Sequence, residues 1–218
     1  MEYTKPAEIE RESMAIIAGE LAERGVELPP AHAAVVKRVI HATADFDYAK
    51  SLYFTENAVS LGVSALRGGV IVTDTNMARA GVSKTALARL GGEVCCYMAD
   101  EAVAAEAKER GVTRAAVSVE WALLEHPHAI FAVGNAPTAL LKIAESIESG
   151  ARPALVIGVP VGFVNVTESK ERARAACERF GVPAIIALGR KGGSNVAAAI
   201  CNALLYTAAG LLEPEKRQ

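Results

Sequence analysis

His41 is the side chain of this sequence best suited to acid–base chemistry, because it follows an aliphatic run in "KRVIHATAD", residues 37–45. On a helix, the four neighbouring aliphatic residues share one face, and His41 lies on the other side near Lys37 and Arg38. These aliphatic residues are Val35, Val36, Val39 and Ile40. A helix end favours the imidazolium, whereas the two cations disfavour it. His41 is therefore either a general acid or a solvated helix-end histidine, and spacing alone favours the second. The three other histidines, with no feature that indicates catalysis, are His32, His126 and His128.

Four stretches with polar residues, three of which contain glycine, each follow a short apolar run. They read "TDTNM", "GNAPTAL", "GVPVGFVNVTESK" and "GRKGGSNVAAA", and begin at residues 73, 134, 158 and 189. Glycine lets a backbone approach a ligand closely, hydroxyl and amide groups supply hydrogen bonds, and Arg190 with Lys191 supplies positive charge. None of these stretches is a G-x-G-x-x-G motif or a phosphate loop ending in G-K-[ST], so a nucleotide site is weakly supported.

The apolar runs predict the elements that position these loops. They cover residues 70–73, 93–98, 129–133, 154–159 and 184–188, and each is short and uniformly apolar. Strands buried on both faces have this composition, which predicts an α/β fold with a mostly parallel, Rossmann-like sheet and helices on both faces. Because parallel strands end at one edge, the loops should meet there. A helix over 6–24 and another after Pro30 are expected to add a layer or lid, within a single domain spanning residues 1–218.

Composition argues against several classes of protein. The 218 residues carry a net charge of −2 with a pI near 6.1, so we expect neither a nucleic-acid nor an anionic-membrane partner. Seven charged residues among the first twenty argue against a secretory signal, which predicts a cytoplasmic protein. Residues 194–212 are uncharged, but their polar and alanine content favours a buried or subunit-interface helix over a membrane span. The four cysteines lack zinc-site spacing, so no metal site is predicted.

Six motifs together resemble the precorrin-8X methylmutase family, including its cobalt-precorrin-8 branch. They are "RVIHATAD", "VIVTDTNMARAG", "GVTR", "FAVGNAPTALL", "GVPVGFVNVTESKE" and "GRKGGSNVAAAICNALL". The resemblance runs from about residue 9 to residue 212. Two positions depart from the family pattern: Met14 replaces an aromatic residue, and Ala115 replaces a serine. Either change could alter substrate contacts, but neither removes a group that the chemistry needs.

The resemblance implies an isomerase of cobalamin biosynthesis. Such an enzyme moves a methyl group between adjacent ring carbons of a tetrapyrrole and gives hydrogenobyrinic acid or cobyrinic acid, a corrin product. An intramolecular shift needs no redox cofactor or protein-bound metal, so no cofactor is expected. The resemblance assigns the proton donor to His41. The substrate-binding residues that the resemblance and the local charges indicate are Ser13, Thr73, Asp74, Thr75, Arg114, Asn135, Gly158, Gly162, Arg190, Gly192, Gly193 and Ser194.

Three questions stay open at the level of sequence. A tight corrinoid carrier without turnover is an alternative to the enzyme, and a nucleotide- or sugar-phosphate-binding enzyme using "GRKGGSN" ranks below both. The sequence does not specify whether the substrate is metal-free or contains cobalt. The family is dimeric and residues 194–212 are rich in alanine and leucine, so we also expect a homodimer with the site near its interface.

Overall fold

A computed structural model describes residues 5–217, and a six-stranded sheet forms its centre. The strands, in chain order, are β1 Leu52–Phe54, β2 Val70–Thr73, β3 Glu93–Cys95, β4 Ile130–Val133, β5 Leu155–Gly158 and β6 Ala184–Ala187. They lie in the order β1-β6-β5-β4-β2-β3, and all neighbours are parallel except β1, which pairs antiparallel with β6. The predicted mostly parallel α/β fold is therefore confirmed.

Helices connect the strands and cover both faces of the sheet. In chain order they are α1 Pro6–Glu23, α2 Pro30–Thr43, α3 Tyr48–Ser51, α4 Ala58–Ala65, α5 Asn76–Gly81, α6 Lys84–Arg89, α7 Glu101–Arg110, α8 Arg114–Glu125, α9 Pro137–Glu148, α10 Val166–Phe180 and α11 Ser194–Ala208, followed by a 3-10 turn at Pro214–Arg217. Three begin with proline, which lacks the N–H that the first helical turn would leave unpaired. Within residues 5–217, no helix is both long and apolar enough to cross a membrane.

Successive side chains of a strand point to opposite faces of the sheet, so the core is divided between two helical layers. In β4, Ile130 and Ala132 pack with the cluster that contains residues of α2, α4 and α11, whereas Phe131 and Val133 pack with that of α8, α9 and α10. All four residues are buried, as a strand covered on both faces requires. The N-terminal helices extend the first layer, because α2 packs on α11 and α1 packs on α2.

The chain reverses its direction across the sheet between β2 and β4. From β2 it proceeds outward to β3, and then returns to β4 on the other side of β2. In an open α/β sheet, the crevice beyond the carboxyl ends of two such strands is where ligands bind. The loops that follow β2 and β4 are "TDTNM" and "GNAPTAL", so the topology places both polar stretches at this crevice.

One predicted strand end was wrong by three residues, and one strand was not predicted. The strand expected over 93–98 ends at Cys95. β1 was not predicted, because the uniformly apolar pattern used to find buried parallel strands does not identify a three-residue antiparallel edge strand. The helix expected over 6–24 is observed at Pro6–Glu23, and the uncharged stretch 194–212 contains the largely buried helix α11.

Candidate active site

Asp74 joins the two loops of the crevice. Its side chain is buried directly after β2. One carboxylate oxygen accepts a hydrogen bond from the Gly134 N–H at 2.8 Å, and the other accepts from Asn135 at 2.8 Å and Ala136 at 2.6 Å. Burial raises the pKa of Asp74, and these three backbone bonds oppose that effect. Asp74, predicted to contact substrate, uses its carboxylate to organise the loop after β4.

Hydroxyl groups join β2 to the start of α11. The Thr75 and Ser194 side-chain oxygens lie 2.8 Å apart, and Thr75 Oγ1 also accepts from the Ala78 N–H at 3.0 Å. Thr73 Oγ1 lies 3.1 Å from the Thr75 carbonyl oxygen and 3.2 Å from that of Cys95. The predicted residues after β2 and at the start of α11 are thus brought together.

Two glycines permit close approach between the strand-end loops. A Cβ on Gly134 would lie 2.7 Å from Ser194 Cα, and one on Gly192 would lie 2.1 Å from the Val159 carbonyl oxygen. Real Cβ atoms do not come this close to backbone atoms, so both positions require glycine.

The three other predicted glycines have different surroundings. Gly158 is buried, and a Cβ there would contact Leu140 and Ile186, so its small size serves core packing. Gly162 and Gly193 adopt positive φ values of 144° and 140°. The Gly193 N–H donates to the Val159 carbonyl oxygen at 2.9 Å, which ties the start of α11 to the end of β5.

Lys170 fixes the loop between β6 and α11, although sequence reasoning assigned it no role. Its side chain is fully buried, and Nζ donates to the carbonyl oxygens of Gly189 and Lys191, each at 2.8 Å. Burial lowers the pKa of Lys170 to about 8. The signal in the sequence was a lysine on the buried face of α10 beside Ser169 and Ala173.

Other predicted side chains are exposed at the same edge of the sheet. Arg114 begins α8, Asn135 follows β4 and Arg190 follows β6. The Arg190 guanidinium lies 5.6 Å from the ring centre of Phe163. Phe163 and Val164 are 83% and 78% exposed, and sequence reasoning did not single them out. Cations and apolar side chains thus lie together at the strand ends.

His41 and Ser13 form a second group on the N-terminal helices. His41 is exposed in the last turn of α2, opposite the buried face, as the helical wheel predicted. Arg38, one turn before His41, pairs with Glu10 at 2.5 Å. Glu10 lies one turn before Ser13 on α1, so this ion pair aligns the turn that carries Ser13 with the turn that carries His41.

The surroundings of His41 favour its neutral form. Partial burial of the imidazole lowers its pKa most, and the positive charges of Arg38 and Arg217 lower it further. The negative charge of Glu10 raises the pKa but does not outweigh the other effects. The protonated form is therefore the minor one at neutral pH, and its population grows as the pH falls.

Lys191 links the two groups. Its Nζ lies 2.7 Å from carboxylate oxygens of both Asp45 and Asp47, in the segment that follows His41. The loop between β6 and α11 is thereby tied to the end of the His41 helix. Among the hydrogen bonds of residues 5–217, none joins His41 directly to the loops after β2 or β4.

Two cavities within residues 5–217 differ in size and in their position relative to these residues. A pocket beside Asp74, lined by Ala115, Ser118 and Phe131, has a volume of about 10 Å³, which is room for one water. A cavity of about 870 Å³ lies at the opposite end of the strands, beside His32. No predicted site residue lines this larger cavity. Of the two departures from the family pattern, Ala115 lines the small pocket and Met14 packs against the core.

Cysteine and carboxylate groups show no grouping typical of a metal centre. Across residues 5–217, no three His, Cys, Asp or Glu side chains lie together in a way that could hold a metal ion. The four cysteines are free, and burial raises the pKa of Cys95 to about 11 and that of Cys177 and Cys201 to about 12. These three thiols are therefore neutral at physiological pH.

The fold is that of an α/β protein whose candidate ligand-binding groups are neutral hydrogen-bonding loops and separate cations at a strand-end crevice. Residues 8–207 match the family model described as precorrin-8X methylmutase. The chain belongs to the precorrin-8X methylmutase family, whose members are isomerases that shift a methyl group within a tetrapyrrole.

Individual relatives cover nearly the whole chain. Cobalt-precorrin-8 methylmutase of Salmonella typhimurium is 45% identical over 207 residues, which are 93% of this chain and 95% of that protein. Precorrin-8X methylmutase of Pseudomonas aeruginosa is 40% identical and covers 90% of this chain and 93% of its own length. The solved structure of precorrin-8x methyl mutase from Thermus thermophilus has a TM-score of 0.84 at 42% identity, and covers 93% of this chain and 96% of that one.

Proposed function

We propose that this protein converts precorrin-8X or cobalt-precorrin-8 to the corresponding corrin, with His41 as the general acid. The observation that carries the proposal is the Lys191 bridge, which ties the end of the His41 helix to the loop carrying Arg190 and Ser194. Protonation of a ring nitrogen by His41 would withdraw electrons from the conjugated system. The methyl group's bond to one ring carbon then breaks as its bond to the neighbouring carbon forms. The proton then returns from the ring nitrogen to His41, so no external group is consumed.

Conversion of the tetrapyrrole is the direct test. Purified protein is incubated with the metal-free and the cobalt-containing substrate in separate experiments, since relatives carry both names. A change in the visible spectrum together with chromatographic identification of the corrin would support the proposal. Stoichiometric binding of both forms without conversion would instead identify the chain as a corrinoid carrier, and binding of a phosphate ligand alone would favour the phosphate-site alternative.

We further propose that two copies of the chain complete the site. The pocket beside Asp74 in one chain holds about one water, whereas small-molecule pockets have volumes of roughly 300 to 1,000 Å³. The exposed side chains of His41, Phe163 and Val164 are then available to a pocket formed with a partner. Analytical ultracentrifugation at micromolar concentration is expected to find a homodimer. A monomer that still converts substrate would contradict the shared site.

Arg114 is proposed to bind a substrate carboxylate from its exposed position at the start of α8. Arg114→Ala should weaken tetrapyrrole binding by about 1.5 to 3 kcal/mol, the usual range for a hydrogen bond to a charged group. Absorbance titration measures the change. Arg179→Ala is the matched control, because Arg179 is also exposed but lies in the last turn of α10, at the other end of the sheet. Equal affinity in the two variants would assign Arg114 a role outside binding.

Three further features belong to the same proposal. We place the protein in the cytoplasm, a location supported by four free cysteines, since reducing compartments keep thiols unpaired. We propose one domain for residues 1–218, because both core clusters contain residues of the same sheet. The net charge of −2 supports a small-molecule partner over a nucleic acid.

A further inference from the structure

A charged cluster beside the His41 helix includes a residue from the end of the chain. Arg217 lies in the turn Pro214–Arg217, beyond residues 8–207 that match the family model. Its guanidinium donates to both carboxylate oxygens of Glu10, at 2.6 and 2.7 Å. It also donates to the carbonyl oxygens of Leu211 at 2.7 Å and Leu212 at 2.8 Å. Four hydrogen bonds therefore fix this side chain, which is only 15% exposed.

Arg38 completes the cluster from the opposite side. Its guanidinium donates to Glu10 at 2.5 Å, so one carboxylate holds an arginine from α2 and another from the chain end. Both guanidinium groups also lie over the ring of Tyr206, at 5.2 Å for Arg38 and 3.9 Å for Arg217. Burial raises the pKa of Glu10, but hydrogen bonds from the two arginines outweigh it and bring that pKa below its ordinary value. Glu10 is therefore ionised at neutral pH.

The cluster carries three charges that act on His41. Two positive charges and one negative charge leave a net charge of about +1 near the imidazole, which disfavours imidazolium. Two other charged residues lie close to His41 along the chain. Lys37 lies one turn earlier on α2, and Asp45, just after α2, pairs with Lys191. The charged groups beside His41 on the packed elements are Lys37, Arg38 and Asp45 from α2 and its end, Glu10 from α1, and Arg217 from the terminal turn.

We propose that Arg217 is a positioning residue of the reaction, which acts through Glu10 and Arg38 to set the charge around His41 and to hold α1 against α2. It touches neither His41 nor, in the proposed site, the substrate. Its contribution is a positive charge that is fixed by four hydrogen bonds and balances the Glu10 carboxylate, whose charge acts on His41. The role of His41 as proton donor rests on the proposed function, whereas the electrostatic coupling between Arg217 and His41 does not.

Titration of His41 by NMR tests the coupling without any assay of turnover. The protein is labelled at histidine, the His41 signal is assigned by its loss in His41→Ala, and the full chain is titrated at low salt. Arg217→Gln removes a positive charge and should raise the titration midpoint of His41. Glu10→Gln removes the negative charge and should lower it. Both variants break the same ion pair, so a merely structural role would move both midpoints in one direction.

Two controls complete the experiment. Arg217→Lys keeps the positive charge and should leave the midpoint close to that of the unaltered protein, even if some of the four hydrogen bonds are lost. Arg11→Gln removes an exposed cation that pairs with Glu215 and should not move the midpoint. The difference between Arg217→Gln and Glu10→Gln should persist in part in 1 M salt, since partly buried charges are screened less than exposed ones.

The sign of the two shifts decides the proposal. Opposite shifts in Arg217→Gln and Glu10→Gln would establish the coupling. Shifts of the same sign, or no shift in either variant, would overturn it. If Glu10→Gln does not fold, Arg217→Gln and Arg217→Lys decide it, and equal midpoints in these two would overturn the proposal. If the unaltered protein does not convert the tetrapyrrole, that result would count against the proposed function, and the titration result would still stand.

Discussion

His41→Ala is expected to convert substrate at least about a hundredfold more slowly than the unaltered protein while still binding it. A proton donated mainly in the transition state contributes little to ground-state affinity, so the chemical step should be affected far more than binding. Positioned general acids contribute about 10² to 10⁴ in rate. Single-turnover conversion measured by visible absorbance separates the two effects. His41→Asn should behave like His41→Ala, because an amide cannot supply the acid.

The pH dependence follows from the lowered pKa of His41. Partial burial and Arg38 bring the pKa of His41 below the ordinary value of 6.5. In the proposed mechanism, the active form carries the proton. The single-turnover rate should therefore be highest at low pH and fall as the pH rises through a midpoint below 6.5. His128→Ala is the matched control, since His128 is also exposed but lies just before β4, at the opposite end of the sheet. Near-normal conversion by His41→Ala, with the same pH profile, would transfer the acid role to another group.

The sequence predicted the sheet well because strands that are buried on both faces have a uniformly apolar composition. Val70–Thr73 matches its prediction, and the runs predicted over 129–133, 154–159 and 184–188 differ from the strands by one or two residues. Each of these strands packs apolar side chains against two helical layers, so its composition is uniformly apolar. The helical wheel of α2 also predicted that His41 faces away from the core, because its four aliphatic neighbours are all buried.

The candidate site was predicted less completely, since several of its contacts depend on tertiary structure. The substrate contact expected of Asp74 stays a prediction, whereas the three hydrogen bonds that its carboxylate accepts from a loop some sixty residues away were not predicted. Lys170 looks like a surface lysine in a charged helix and is instead buried beneath the loop after β6. Glu10 and Arg217 are separated by nearly the whole chain. No local pattern indicates such pairings, because they depend on how the helices pack.

Gly192→Ala should destabilise the protein by on the order of 3 kcal/mol, since it adds a methyl group where the backbone leaves no space. The new Cβ would lie 2.1 Å from the Val159 carbonyl oxygen and 2.7 Å from that of Pro160. Both obstacles are backbone atoms at the end of β5, so no side-chain rotation can relieve the clash. The loop after β6 would have to move away from β5, and Arg190 and Ser194 would move with it.

Urea unfolding, monitored by far-UV circular dichroism, measures the loss in the free energy of unfolding. Gly19→Ala is the matched control, because Gly19 lies within α1 and a Cβ there would meet nothing within 4 Å. Alanine is favoured over glycine in a helix, so the control should gain about 0.5 to 1 kcal/mol. Gly192→Ala protein that folds should also bind tetrapyrrole more weakly, because its strand-end loop is displaced. Unchanged stability together with unchanged binding would show that the loop after β6 does not pack against the end of β5 in this way, and the strand-end site would then need a different arrangement.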